Sequence, residues 1–297
     1  MMENKSKILI YGAGVIGSIY AIKFANAGHD VSVYARGSRL HDLNNKGLLY
    51  NEKNLIRVAS VTILSKLKST DTFDYIFVTV RYEQVEKALA ELAGNNNSPN
   101  IVTMANNPKG YSVWEKIIGK GKLIPAFAGA GGSIEAGVLH FQLTPRIIQS
   151  ATFGEPNGTI TDRVKSLAKI FKSSKIPYSI TKNMDAWQKS HLAMVTVLAN
   201  GIYFDGGNNY TTAKNKQAIK MMSRTLKSNF NALNTKGIPI TPSKLNIFRI
   251  CPLWMMNASL RILYNTKFAE TLISCHALNA REEMTLLDKA FKETIHT

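Results

Sequence analysis

Cysteine is scarce in the 297-residue chain, and its scarcity excludes two classes of site. Only Cys251 and Cys275 occur, and they lack the C-x-x-C spacing of zinc and redox motifs. A disulfide framework and a cysteine zinc cluster are therefore excluded, and we interpret both residues as reduced, buried thiols. We expect no metal site.

Long apolar runs are also missing. The longest mostly apolar stretch, residues 192–204, is interrupted by Thr196, Asn200 and Gly201. It is well short of the roughly 20 residues that a membrane-spanning helix needs. Because residues 1–7 are polar, we also expect no signal peptide. We therefore expect a cytoplasmic protein without a membrane partner.

Acidic residues are absent between Asp205 and Glu270, although lysines and arginines are frequent there, and the formal net charge is +17. A charge of this size attracts anions, so binding of a polyanion or nucleic acid is one interpretation. No helix-turn-helix, zinc-finger, RRM or KH pattern accompanies the charge. Basic helix faces in solvent are the other interpretation, and the one we favour.

The first half of the sequence alternates between β-branched or aromatic runs and amphipathic stretches, which is typical of a parallel sheet covered by helices. The predicted strands cover residues 7–11, 31–35, 75–80, 101–104 and 123–127. Residues 47–63 are predicted to be extended, and 137–153 to form a hairpin that turns near Thr144 and Pro145.

The second half is predicted to be helical. A helix over residues 161–172 and a strand over 178–181 come first, and helical periodicity then continues from residue 183, with breaks at Gly206-Gly207 and 237–242. The sequence thus predicts an α/β fold in which residues 1–182 form a Rossmann-type domain and residues 183–297 an all-helical domain.

A G-x-G-x-x-G motif directly follows the first predicted strand and opens an amphipathic stretch. Its residues are Gly12, Ala13, Gly14, Val15, Ile16 and Gly17. In this context the first glycine permits a tight turn, the second lets a diphosphate approach the backbone, and the third lets the helix pack on the strand. We predict a dinucleotide site here. A glycine-rich turn without ligand is the alternative.

The second predicted strand ends in Arg36 rather than in the acidic residue that usually binds the ribose hydroxyls of NAD. A guanidinium offers a planar fork for a 2′-phosphate, and Ser38 and Arg39 are possible further donors. We therefore predict NADP(H) as the cofactor. A surface arginine paired with a carboxylate is the alternative interpretation of Arg36.

These residues, with the stretches 27–31 and 34–36, resemble the ketopantoate reductase (2-dehydropantoate 2-reductase) family. The resemblance implies a cofactor contact for Arg81, where the family has a lysine, and a contact of Asn106 with nicotinamide and substrate. Residues 186–189 resemble the family's tryptophan followed two residues later by its catalytic lysine, which implies that Lys189 is the general acid. An ammonium can stabilise the charge that grows on a carbonyl oxygen and then donate its proton.

The chain departs from the family pattern and is similar to a divergent member. Ala193 and Val197 replace two asparagines that contact substrate, and Lys267 replaces a glutamate. The remaining candidates for substrate contacts, besides Lys267, are Thr196, Glu270 and His276. The resemblance also implies a helical domain like the C-terminal domain of 6-phosphogluconate dehydrogenase, a role in pantothenate biosynthesis and a homodimer.

The sequence as a whole predicts a soluble NADP-dependent oxidoreductase that acts on CH–OH groups. Its reaction is the reduction of a small 2-oxo acid, ketopantoate or a related ketone, to the hydroxy acid, in a cleft between the two domains. Two alternatives remain. The first is an NADP(H)-binding or sensor protein without turnover, and the second is a binder of polyanions or nucleic acids.

Overall fold

A computed structural model describes residues 5–94 and 97–296, apart from the side chain of His276. These residues fold as two compact units. The first contains the chain up to Ala105 together with Tyr111–Met184, and the second contains Asn106–Gly110 and the chain from Asp185 onward. The segment that carries Asn106 therefore belongs to the helical unit, although it lies far earlier in the sequence.

The first unit is an α/β structure, as predicted. Its strands are β1 (Lys7–Tyr11), β2 (Asp30–Tyr34), β3 (Leu48–Glu52), β4 (Leu55–Ala59), β5 (Thr62–Leu64), β6 (Tyr75–Val78), β7 (Ile101–Thr103), β8 (Leu123–Phe127), β9 (Ala130–Glu135), β10 (Val138–Leu143), β11 (Ala151–Phe153) and β12 (Tyr178–Ile180). Its helices are α1 (Val15–Asn26), α2 (Gly37–Lys46), α3 (Val85–Ala93), α4 (Ser112–Ile118), α5 (Arg146–Gln149) and α6 (Asp162–Ser173).

The main sheet has the strand order β12-β11-β8-β7-β6-β1-β2-β5. In this sheet each pair of neighbouring strands is parallel, except for the antiparallel pair β8–β11. The chain runs from β1 to β2 on one side and later crosses to β6 on the other side of β1. The order of strands therefore reverses at β1, where ligands bind in open α/β sheets.

The predicted hairpin over residues 137–153 is wrong. The hairpin joins β9 to β10 and turns at Ala136 and Gly137, which both have positive φ values (51° and 88°). Glycine tolerates this conformation, which a Thr-Pro pair cannot supply. Pro145 instead precedes the short helix α5, and β11 joins the main sheet rather than β10.

Aromatic side chains fill the core of the first unit. Tyr20 and Phe24 of α1 pack with Phe77 of β6 and Phe171 of α6, and the ring centroids lie 4.9 to 6.2 Å apart. All four are fully buried. Helix α1 contacts β1 and β2 of the main sheet and also β4, β9 and β10 of a second sheet, whose order is β4-β3-β10-β9. It is apolar on both faces for this reason.

The second unit is helical, as predicted. Its helices are α7 (Met184–Phe204), α8 (Asn209–Lys214), α9 (Lys216–Thr235), α10 (Ile247–Ile250), α11 (Leu253–Tyr264), α12 (Lys267–Ala269), α13 (Cys275–Asn279) and α14 (Arg281–His296). A π-helical segment, Glu270–Ser274, joins α12 to α13. The side chains of Asn208 and Asn215 accept hydrogen bonds from the first amides of α8 and α9 and so fix where these helices begin.

The two cysteines are free, as predicted, but the expectation that both are buried is wrong, since Cys251 is half-buried and Cys275 is exposed. Cys251 directly follows α10 and Cys275 begins α13, and a side chain at either position can point to solvent as easily as to the core. Within residues 5–94 and 97–296, no helix is long and apolar enough to cross a membrane.

Candidate active site

The glycine motif forms the turn between β1 and α1, at the carboxyl end of the central strand. Two of its glycines are required by the protein's own packing. A Cβ on Gly17 would lie 1.9 Å from the carbonyl oxygen of Gly12, and a Cβ on Gly12 would lie 3.1 Å from Cγ1 of Val80. The Thr79 hydroxyl closes the turn by donating to the Gly12 carbonyl at 2.8 Å. Gly12 also has a φ of 111°, which side chains rarely tolerate.

Gly14 differs from the other two glycines because the protein's own packing does not require it. Its φ is −71°, and a Cβ built there meets no atom of the described residues within 4 Å. Gly14 caps the N-terminus of α1 without a side chain, and the first turn of α1 has no acidic residue. An open, uncapped helix N-terminus attracts anions. The motif therefore fits the diphosphate of a dinucleotide.

The other motif residues lie beside this opening. Val15 and Ile16 form the first turn of α1 and are half-buried, whereas Ala13 is buried. The Ala13 carbonyl accepts a hydrogen bond at 3.0 Å from Nε of Arg39, whose Nη2 also donates to the Ser18 hydroxyl at 3.3 Å. Helix α2 thus contributes a cation directly to the glycine turn.

Arg36 lies just after β2 and is held by three oxygen atoms. Its Nε donates to the hydroxyl of Tyr34 at 2.8 Å, and its Nη2 donates to the hydroxyl of Tyr11 at 2.6 Å. The same Nη2 forms an ion pair with the carboxylate of Glu91, on α3. The Tyr11 hydroxyl donates to that carboxylate as well. The carboxylate partner that the sequence left open for Arg36 is therefore present.

Arg81 is exposed, and the 3₁₀ turn Tyr82–Gln84 follows it and leads into α3. It comes after the carboxyl end of β6, next to β1 in the sheet. This is the edge on which ligands bind in such sheets.

The segment Asn106–Gly110 forms hydrogen bonds with the first and the last helix of the second unit, α7 and α14. The backbone amide of Asn107 donates to Oε1 of Gln188, on α7, at 2.9 Å. The hydroxyl of Thr294, on α14, donates to the Pro108 carbonyl at 3.3 Å. Oδ1 of Asn106 is buried and has no hydrogen-bond partner among the described residues. Such an acceptor is costly to leave unpaired, and so it suits a ligand that donates a hydrogen bond.

Lys189 lies on α7 beside the residue that anchors this segment. Its ammonium donates to Oδ2 of Asp185 at 2.6 Å, and its side chain is 13% exposed. Oδ1 of Asp185 is buried without a partner in the described part of the chain. The charged group that contacts the Lys189 ammonium is therefore an acid.

The remaining substrate candidates on α7 are deeply buried. Thr196 is fully buried and its hydroxyl donates to the Leu192 carbonyl at 2.9 Å. Ala193 and Val197 are buried as well. His191, two residues after Lys189, stacks on Trp187 with ring centroids 5.5 Å apart. All of these side chains take part in the packing of α7, and a contact of Thr196 with substrate stays a prediction.

The candidates in the last third of the chain lie on or near the π-helical segment. Lys267 begins α12 and is exposed, and Glu270 accepts a hydrogen bond at 2.9 Å from the exposed hydroxyl of Tyr210. The side chain of His276 lies outside the described part of the structure. The structure therefore does not tie these residues to Lys189, and their contacts with substrate stay predictions.

Two acidic residues of the site were missed from the sequence. Asp185 was detectable, because an acid four residues before a lysine on a helix is a common ion pair. Glu91 gave no signal, since it lies 55 positions from Arg36 and the two meet only through the order of strands in the sheet.

Comparisons with known proteins agree with this architecture. A candidate ketopantoate reductase from Ralstonia solanacearum MolK2 is 16% identical, with 98% of each chain covered and a TM-score of 0.73. A 2-dehydropantoate 2-reductase from Geobacter metallireducens GS-15 is also 16% identical, with 96% of this chain and 99% of that chain covered and a TM-score of 0.71. D-mandelate dehydrogenase, solved with NADH and anilino(oxo)acetate, is 14% identical, with 97% and 98% covered and a TM-score of 0.70.

At such identities these structures establish the fold alone. No curated protein sequence matches the chain significantly. The family model of ketopantoate reductase PanE/ApbA matches residues 8–157, a range that contains the glycine motif, Arg36, Arg81 and Asn106. The span amounts to half of the chain, so the chain belongs to the ketopantoate reductase family.

Proposed function

We propose that the protein is an NADPH-dependent reductase of 2-oxo acids. The observation that most supports the proposal is the open space at Gly14, because the protein's packing requires the other two glycines of the motif but not this one. A diphosphate lying against the first turn of α1 supplies the missing reason for a glycine there.

Arg36 is the group that can contact the 2′-phosphate of the phosphorylated cofactor. Its side chain is 48% exposed, it follows the strand that usually ends in an acid, and Nη1 has no hydrogen-bond partner among the described residues. A 2′-phosphate can bind there, and Arg39 adds positive charge beside the turn. Arg81 extends the basic edge, as the family resemblance implies.

Lys189 is the proton donor in this proposal. When bound, the dinucleotide supplies a hydride to the carbonyl carbon of the substrate. The Lys189 ammonium stabilises the negative charge that develops on the carbonyl oxygen and donates a proton to it. Asp185 holds the ammonium in place through the 2.6 Å hydrogen bond. Oδ1 of Asn106 accepts a hydrogen bond from the bound nicotinamide or substrate, which satisfies a buried acceptor.

The substrate class is a small 2-oxo acid. Ketopantoate is the substrate of the family, but apolar Ala193 and Val197 stand where the family has polar contacts. The proposed substrates therefore include less polar 2-oxo acids. The D-mandelate dehydrogenase of similar fold was solved with anilino(oxo)acetate, an aromatic oxo acid. Benzoylformate is the corresponding keto acid to test.

The experiment follows oxidation of NADPH and NADH with ketopantoate, benzoylformate and aliphatic 2-oxo acids. On the best substrate, Lys189→Ala is expected to lower kcat at least about 100-fold. The matched control is Lys292→Ala, because Lys292 also pairs at 2.6 Å with an aspartate one turn earlier, Asp288, and is more exposed. Equal kcat values for wild type and Lys189→Ala would refute the assignment. Cofactor binding without any oxidation would favour the sensor alternative.

A further inference from the structure

Among the described residues, Glu91 is the one acid that forms an ion pair with Arg36, the cation expected to bind a 2′-phosphate. Its carboxylate pairs with Nη2 of Arg36 and accepts from the hydroxyl of Tyr11. Burial raises the pKa of Glu91, but the hydrogen bonds from Tyr11 and Arg36 outweigh burial and hold the pKa below its usual value. The carboxylate therefore stays charged at neutral pH.

This pairing removes part of the guanidinium from use by a ligand. Nε donates to Tyr34, and Nη2 donates to both Tyr11 and Glu91, so Nη1 is the nitrogen without a partner among the described residues. An arginine binds a phosphate best with two parallel N–H groups from two nitrogens. A phosphate at Nη1 therefore gains a single-nitrogen contact while it approaches a carboxylate of the same sign.

We propose that Glu91 determines the cofactor preference of the site, by pairing with Arg36 and disfavouring a 2′-phosphate, so that the protein uses NADH as well as NADPH. The inference rests on the proposed function, since it assigns a role within the same dinucleotide site. Glu91 acts through charge and through its hold on Arg36, and Tyr11 and Tyr34 keep the guanidinium in place in its absence.

The test compares 2′,5′-ADP with 5′-AMP, two probes that differ only in the 2′-phosphate. Their dissociation constants are measured by calorimetry for wild type and Glu91→Gln. We expect Glu91→Gln to lower the dissociation constant of 2′,5′-ADP about tenfold and to leave that of 5′-AMP within about twofold. The gain should shrink as salt is raised, because both charges are partly exposed.

Glu86→Gln is the matched control. Glu86 also lies on α3 and is exposed, and the same substitution there removes one negative charge without touching Arg36. It should leave the ratio of the two dissociation constants unchanged. In an Arg36→Gln background, Glu91→Gln should have a smaller effect than in wild type, because the two side chains then no longer interact.

The possible outcomes distinguish a failure of the inference about Glu91 from a failure of the proposed dinucleotide site. If wild type binds neither probe and neither reduced cofactor, the dinucleotide site itself is refuted. If wild type binds both probes but Glu91→Gln changes them equally, or weakens 2′,5′-ADP, the role of Glu91 is refuted and the site stands. A gain confined to 2′,5′-ADP supports the inference.

Discussion

The ammonium of Lys189 and the carboxylate of Asp185 lie 2.6 Å apart, one turn from each other on α7. The pair is less exposed on the lysine side, at 13%, than on the aspartate side, at 36%. Only one carboxylate oxygen is used, and the other is buried without a partner among the described residues. Asp185 thus fixes the position of the proposed proton donor and keeps an acceptor beside it.

Asp185→Asn should lower kcat about tenfold and change KM little, because it loosens the proton donor without removing it. Kinetics on the best 2-oxo acid measure both constants. Asp185→Glu should recover part of the loss by restoring the charge. Asp288→Asn breaks the comparable pair on α14 and should leave kcat unchanged. An unaltered kcat in Asp185→Asn would remove Asp185 from the mechanism.

Gly14 and Gly17 should respond differently to alanine. Gly14→Ala adds a methyl group to open space at an ordinary φ, so stability should change by less than about 1 kcal/mol while NADPH binding is lost. Gly17→Ala places a Cβ 1.9 Å from a backbone oxygen and should destabilise the fold severely. Thermal melts and NADPH titrations test the pair. Full NADPH affinity in Gly14→Ala would contradict the placement of the diphosphate.

The buried ion pair between Glu155 and Arg163 predicts how acid weakens the first unit. Burial raises the pKa of Glu155, but hydrogen bonds from Arg163 and Thr161 outweigh it and leave the pKa below its ordinary value of 4.5. A carboxylate with a lowered pKa stabilises the fold above pH 4.5, and this contribution is lost as pH falls through the folded value.

Glu155→Gln should therefore lower the free energy of unfolding by about 3 kcal/mol at neutral pH, because it leaves the largely buried Arg163 without its counter-charge. The difference from wild type should narrow as pH drops below 4.5. Urea unfolding at several pH values measures it. Asp162→Asn is the control, since the Asp162–Lys165 pair is exposed and its loss should leave the free energy of unfolding nearly unchanged. A pH-independent difference would contradict the account.

Much of the fold follows from local sequence patterns. The strands beside β1 are short apolar runs bounded by turn residues, and each lies within two residues of its predicted position. The sequence predicts the hairpin turn at Thr144-Pro145 because this pair is a stronger local turn signal than Ala136-Gly137. In the structure the hairpin covers residues 130–143, and β11 pairs with β8 instead of β10. Such pairing connects distant residues and leaves no local pattern.

The same distinction between local patterns and long-range contacts applies to the candidate site. The glycine motif and Lys189 could be identified from spacing, because a turn and a helix impose fixed intervals. The partner of Arg36 could not, since Glu91 reaches it from α3 across the end of β1. The burial of Thr196 within α7 also depends on packing by other helices, which helical periodicity alone does not locate.

The central claim is that the glycine turn holds a reduced pyridine nucleotide. A titration of the purified protein with NADPH, followed by the fluorescence of the nicotinamide, tests it most directly, with NADH and the Gly14→Ala variant measured alongside. We predict saturable binding of NADPH to wild type and none to Gly14→Ala. Fluorescence that stays that of free nucleotide with both cofactors, in a folded protein, would contradict the account.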